Sequence, residues 1–301
     1  MTGKHDDPQP AHRLSAHVEA PRLDGGLYLV ATPIGTARDI TLRALDVLNA
    51  ADLLAAEDTR VLRHLLDIHG IPLRGRRIVP YHDHNGERAR PGLMAALATG
   101  ASIAYASDAG TPLVADPGYR LAREAAAAGH RVHAIPGPSA PLVALSLSGL
   151  PSDRFLFLGF PPSTKGARMT WLRAWMAVDA TLILFESPRR VNQTLRELCE
   201  IDSNRLTVVA RELTKKFEEV IRGTAAELAQ DPRMVTLKGE VVMLIDRPQA
   251  VQADDQTVRQ ALRMRLASMT VKDAAREVAA ELGMARRDVY QIALGLGKDR
   301  D

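Results

Sequence analysis

Short apolar runs recur along the first half of the chain. Each is followed by a loop and then by a helical pattern, and this rhythm constrains the fold more than any other feature. Residues 27–31, 53–56, 78–79, 102–106 and 132–135 are the runs. Three of them end in loops that couple glycine with proline: Thr32-Pro33-Ile34-Gly35, Ser107-Asp108-Ala109-Gly110-Thr111-Pro112 and Pro136-Gly137-Pro138-Ser139-Ala140. Helices are expected over 39–50 (capped by Asp39), 59–69, 87–98, 117–128 and from Ala140 to about Leu147. Strands alternating with helices predict an α/β fold with a mostly parallel sheet covered on both faces.

The second half changes texture. Strands are expected at 155–159, 181–185, 206–211 and 240–245, with 217–222 as a hairpin partner and helices at 165–177, 188–200 and 225–230. Strands that adjoin one another predict a mixed sheet. From residue 251 the pattern is helical only, over 257–266, 271–282 and 286–294, and the turn at Gly283-Met284 gives it the look of a helix-turn-helix. The expected organisation is a disordered tail at 1–26, α/β domains at 27–150 and 151–250, and a helical segment at 251–301.

Composition excludes several classes. Hydrophobic residues at 46% and charged residues at 25% are those of a globular protein. No run is apolar and long enough for a transmembrane helix, and the lone Cys199 can form no internal disulfide, so a cytoplasmic protein without a membrane partner is expected. The formal charge is only +3, but residues 60–90 hold seven Arg against three acids, which suits an anionic partner. The segment 251–301, with nine basic and eight acidic residues, carries no such excess.

In an open α/β sheet, ligands bind beyond the carboxyl ends of the strands. The three Gly/Pro loops stand there and could hold a small molecule through main-chain groups. No G-x-G-x-x-G, P-loop or G-x-S-x-G motif is present. His82 and His84 flank Asp83 without a third ligand at suitable spacing, so no metal site is expected.

These loops, together with Ala55-Ala56-Glu57-Asp58-Thr59-Arg60, His82-Asp83-His84-Asn85, Asp116-Pro117-Gly118-Tyr119, Gly149-Leu150-Pro151-Ser152-Asp153-Arg154-Phe155 and Ala210-Arg211-Glu212-Leu213-Thr214-Lys215, resemble the tetrapyrrole methylase superfamily, in its branch acting on small-subunit ribosomal RNA. The resemblance runs from Leu27 to Ile245, and the C-terminal helices fit it. Thr36 departs from it, since the family usually has Asn after Pro-Ile-Gly.

The resemblance implies two α/β domains with S-adenosylmethionine in the cleft between them, and a homodimer. It implies 2′-O-methylation of a cytidine ribose in the decoding region of 16S ribosomal RNA, on the small-subunit RNA or particle. By motif, the implied cofactor residues are Pro33, Asp108, Gly110, Thr111, Leu113, Pro136, Gly137 and Ser139, with Phe185, Glu186, Ala210 and Glu240 from the second domain.

A ribose hydroxyl is a weak acid and needs a base, or a positive charge to stabilise the developing alkoxide. Glu57, Asp58, Asp83, Asp108, Glu186 and Lys215 are candidates, and His82 could shuttle a proton. Asp58 is better placed to cap the following helix, and Glu57, His82 and Lys215 are preferred. Arg60, Arg63, Arg76, Arg77, Arg88, Arg189, Arg190 and Lys216 form a candidate RNA track. Two rival functions remain: a methylase of the same fold acting on a tetrapyrrole or other small acceptor, and a non-enzymatic nucleic-acid binder using the C-terminal helices.

Overall fold

The computed structural model describes residues 22–82, 84–114, 118–248, 255–282 and 284–298. Residues 1–21 of the expected tail at 1–26, Asp83, Asp116-Pro117 and Gly283 of the expected Gly283-Met284 turn lie outside them. The chain forms two compact units, one holding residues up to Leu172 and Thr181–Asp246, the other Arg173–Ala180 and the residues from Arg247.

The first unit contains two five-stranded sheets. Strands β1 (Gly26–Val30), β2 (Leu53–Ala56), β3 (Ile78–Pro80), β4 (Ser102–Ala106) and β5 (Val132–Ile135) form a sheet in the order β3-β2-β4-β1-β5, and every pairing is parallel. Alternate residues of each strand face opposite layers. Tyr28, Val30, Leu54, Ala104 and Ile135 pack beneath helices α1 (Leu42–Ala50) and α2 (Thr59–Ile68). Leu27, Ala55, Ile103 and Tyr105 pack beneath α3 (Gly86–Ala98) and α4 (Tyr119–Ala127). Burial on both faces explains why these strands read as continuous apolar runs.

The helix after β1 therefore covers one face and the helix after β4 the other, although the two strands are neighbours. Their loops part at this point and leave a crevice beyond the carboxyl ends. Thr32 and Gly110 bridge across it, each N–H donating to the other's carbonyl at 3.0 Å.

Helix α5 (Ala140–Ser148) leads to the second sheet, and its Ala144 and Leu145 share a core with Ile183, Val208, Ala210, Val242 and Leu244. Strands β6 (Phe155–Phe157), β7 (Thr181–Glu186), β8 (Leu206–Arg211), β9 (Glu219–Thr224) and β10 (Val241–Ile245) run in the order β6-β7-β10-β8-β9. Only the β6–β7 pair is parallel, so the sheet is mixed as expected, with β9 the hairpin partner of β8. Helices α7 (Val191–Ile201) and α8 (Ala225–Gln230) and residues 165–172 of α6 (Lys165–Met176) complete this part.

One expected cap is corrected. Asp39 lies in a short 3-10 turn, and α1 begins three residues later. Thr41 caps it by accepting the N–H of Ala44 at 3.1 Å. Asp58 does cap α2, accepting from the Arg60 N–H at 2.8 Å.

In the second unit, α9 (Asp255–Leu266), α10 (Val271–Leu282) and α11 (Arg286–Lys298) form a small bundle. Val258, Leu262, Ala274, Val278, Val289 and Ala293 are its core, at the i, i+3/i+4 spacing of amphipathic helices. The last helix runs four residues past the expected 294. Among the described residues, no helix is long and apolar enough to cross a membrane.

Candidate active site

The crevice opens into a cavity of ≈ 390 Å³. The first sheet contributes Ile34 after β1 and Ala109, Gly110, Thr111 and Val114 after β4, and Ser139, Ala140 and Pro141 come from the start of α5. The second sheet contributes Phe160 after β6, 185–188 at the end of β7, Leu213 after β8, and 239–242 entering β10. The loops hold one another: Thr111 Oγ1 donates to the Pro138 carbonyl at 2.9 Å, and Ser107 Oγ to the Gly110 carbonyl at 2.7 Å.

Six of the residues implied for the cofactor line this cavity: Gly110, Thr111, Ser139, Phe185, Glu186 and Glu240. The other six support the lining. Pro33, Pro136 and Gly137 stand in the same loops. Leu113, at φ 71°, turns toward the core beneath α3 and α4. Ala210 is fully buried in the second sheet, in register with Val242. Asp108 faces away and accepts the Asp58 N–H at 2.8 Å, which fastens the β4 loop to the end of β2.

Among the described residues, the lining holds no lysine or arginine, and its only ionisable members are Glu186 and Glu240. Such a lining is wrong for a phosphate and right for a neutral or cationic molecule with apolar surface, gripped by main-chain groups. Glu186 is 2% exposed. It accepts from Arg190 at 2.6 Å, from Thr194 Oγ1 at 2.8 Å and from the Ser187 N–H at 2.7 Å. Its oxygens are thus occupied as a fixed wall, which removes it as a base.

The β8–β9 turn carries the charge at the cavity's edge. Lys215 Nζ donates to Glu212 Oε1 at 3.0 Å and to Glu240 Oε2 at 2.9 Å. Burial alone would lower its pKa, but the hydrogen bonds and charges of Glu240 and Glu212 outweigh burial and hold it above the ordinary lysine value. Burial works against the Glu212 charge in the same way, and the Lys215 and Glu240 contacts reverse it, leaving its pKa lowered. Lys215 is therefore a cation at neutral pH and no proton acceptor.

The turn is tightly determined. Glu212 and Thr214 sit at φ 50° and 61°, a region non-glycine residues seldom adopt. Gly239, at φ 86°, packs so closely that an added Cβ would lie 2.1 Å from the Glu212 carboxylate. Thr36, the departure from the family pattern, joins the two sheets' loops here. Its hydroxyl donates to the Thr214 carbonyl at 2.5 Å and its N–H to Thr214 Oγ1 at 3.2 Å.

Glu57 and His82 do not line the cavity. They follow β2 and β3, at the same carboxyl edge but toward the β3 side of the sheet. The His82 Nδ1 is buried without a hydrogen-bond partner among the described residues.

The basic track divides. Arg60 (89% exposed and paired with Asp58 at 2.5 Å), Arg63, Arg77, Arg88, Arg189 and Lys216 are exposed. Arg76 is corrected to a structural role: its guanidinium donates to the carbonyls of Leu73, Leu48, Ala51 and Pro72 at 2.8–3.1 Å, fastening the loop before β3 to α1. Arg190 is likewise tied to Glu186. The sequence does not single out Phe160, Ile34, Glu212 or Leu213: the last three lie inside the quoted motifs, and Phe160 carries no signal.

The fold and cavity are those of a methylase class. Residues 26–229 match the model of the tetrapyrrole (corrin/porphyrin) methylases, and the chain belongs to that family. Residues 252–297 match a second model, the RsmI C-terminal HTH domain. The chain is similar to proteins named ribosomal RNA small subunit methyltransferase I. That of Mesorhizobium japonicum is 50% identical over 281 residues, 93% of this chain and 95% of the relative. That of Escherichia coli is 40% identical over 287 residues, 93% and 99% of the two chains.

Solved structures share the fold at lower identity. A uroporphyrin-III C-methyltransferase from Thermus thermophilus aligns at TM-score 0.54 and 21% identity, covering 74% of this chain and 94% of that one. The same enzyme complexed with S-adenosylhomocysteine aligns at 0.52 and 19%, covering 74% and 97%. A diphthine synthase aligns at 0.57 and 19%, covering 73% and 89%.

Proposed function

We propose that this protein is a methyltransferase that uses S-adenosylmethionine to methylate the 2′-hydroxyl of a cytidine in the decoding region of 16S ribosomal RNA. The observation that carries this reading is the similarity to small-subunit rRNA methyltransferases over nearly the whole of both chains, C-terminal helices included. The uroporphyrin-III C-methyltransferase and the diphthine synthase share the fold at 21% identity or less, so they speak for the fold and not for the acceptor.

S-adenosylmethionine supplies a methyl group on a sulfonium that is already a reactive donor. The cavity fits it: among the described residues the lining holds no cation to repel that charge, and it presents apolar walls at Ile34, Val114, Leu213 and Val242. Gly110, Thr111 and Ser139 would hold the cofactor from the first sheet, and Phe185, Glu186 and Glu240 would bound it from the second.

The protein's work is alignment and exclusion of water. Lys215, held as a cation beside Glu240, stabilises the oxyanion as the ribose hydroxyl loses its proton. Glu57 and His82, on the same edge of the sheet, are the proton acceptors to be separated by mutation. Arg60, Arg63, Arg77, Arg88, Arg189 and Lys216 bind RNA phosphates, and the active form is a cytoplasmic homodimer.

The test is transfer of labelled methyl groups from S-adenosylmethionine to small subunits lacking the modification, with the label mapped by mass spectrometry. Label on one cytidine 2′-oxygen is expected. Tight cofactor binding without transfer to the RNA refutes the reading and leaves a small acceptor.

A further inference from the structure

Phe160 is an anomaly for a packed α/β protein. It lines the cavity yet is 60% exposed, in a chain with only 4% aromatic residues. Its ring lies 5.4 Å from that of Phe185, which lies 4.9 Å from Phe157, so an aromatic row runs out from the second sheet to the cavity mouth.

The loop that carries it is fixed on both sides. Gly159, at φ 67°, makes the turn, and its carbonyl accepts the Phe185 N–H at 2.9 Å. Beyond Phe160, the carbonyls of Pro162 and Ser163 each accept from Arg168 Nη1 at 3.0 Å. Arg168 is fully buried and held by two 2.7 Å bonds to Glu197. A rigidly mounted aromatic face turned to solvent is a platform for a flat partner.

We infer that Phe160 is the stacking platform for the acceptor nucleobase, holding it at the cavity mouth so that its ribose faces inward. This rests on the RNA reading above. A base stacks on any aromatic face, and one taken out of its helix swings the attached ribose with it. Besides lining the cavity, the ring keeps an exposed surface that is open to an occupant arriving from solution. Charge agrees: Pro188 lines the cavity, and the adjoining Arg189 is exposed and without an ion pair among the described residues, as a phosphate contact would be.

The experiment compares Phe160→Ala, Phe160→Leu and Phe160→Trp with the wild type in the full chain. Three quantities are measured: calorimetric affinity for S-adenosylhomocysteine, the KM for small subunits, and anisotropy of a short cytidine-containing single-stranded RNA. Stacking predicts that Ala and Leu raise the KM and weaken the RNA by about 5- to 150-fold, the range for one stacked base. Trp should retain binding, and S-adenosylhomocysteine affinity should be unchanged. Parallel loss of S-adenosylhomocysteine affinity would overturn the proposal and assign the ring to the cofactor's base; so would a Leu variant equal to wild type. If the wild type transfers no methyl to subunits, the function fails on its own terms and the oligonucleotide decides Phe160: dependence on the ring supports stacking, and independence overturns it.

Discussion

Replacing Glu197 by Gln leaves the Arg168 guanidinium buried opposite a neutral amide. In the wild type, Arg168 is 0% exposed and Glu197 2%, joined by two hydrogen bonds of 2.7 Å. Breaking one side of a buried pair costs about 3–5 kcal/mol, because the remaining charge loses its partner without regaining water. For a unit of this size each kcal/mol moves Tm by about 2–4 °C, so Glu197→Gln should melt about 6–20 °C lower. The double variant Arg168→Met with Glu197→Leu removes both charges and should recover most of the loss. It should not recover function, since the Pro162 and Ser163 carbonyls lose their donor and the Phe160 loop is released. Urea unfolding followed by circular dichroism, with methyl transfer measured in parallel, checks both halves. A Glu197→Gln protein within 1 kcal/mol of wild type, or a stable and fully active double variant, refutes the reasoning.

Further outcomes follow from the same geometry. Lys215→Met should lower kcat by about 10²–10³, as loss of one oxyanion donor does, with S-adenosylhomocysteine affinity unchanged in calorimetry. Gly239→Ala should lower kcat in the same direction, because its Cβ displaces the Glu212 carboxylate that holds Lys215. The Asp58 carboxyl is held at about 2, below its ordinary 3.8, chiefly by the Arg60 side chain and N–H. Its contribution to stability is therefore present above about pH 4 and lost as pH falls toward 2; Asp58→Asn should flatten that part of the urea-midpoint profile. Arg77→Ala should reduce the salt slope of subunit binding by about 1 with Tm unchanged, whereas Arg76→Met should lower Tm by freeing four carbonyls.

The parallel sheet, the mixed sheet and the helical C-terminus could be read from the chain because each follows from local rules. Strands buried on both faces need unbroken apolar runs, turns beyond them need glycine and proline, and amphipathic helices need a 3.6-residue period. The Gly/Pro loops could be placed at the carboxyl edge for the same reason, and Thr32–Gly110 and Thr111–Pro138 join them there. Which residues meet across the cleft is not a local property. Arg76 and Arg77 are adjacent and chemically identical, yet one is consumed by four main-chain carbonyls and the other faces water. Lys215 has its charge set by Glu240, 25 residues away in sequence. Phe160 carries no motif at all; it matters because the fold sets its ring beside the cavity and leaves it exposed. Backbone pattern is written in near neighbours, whereas charge state, exposure and reach depend on contacts that form only when distant segments pack.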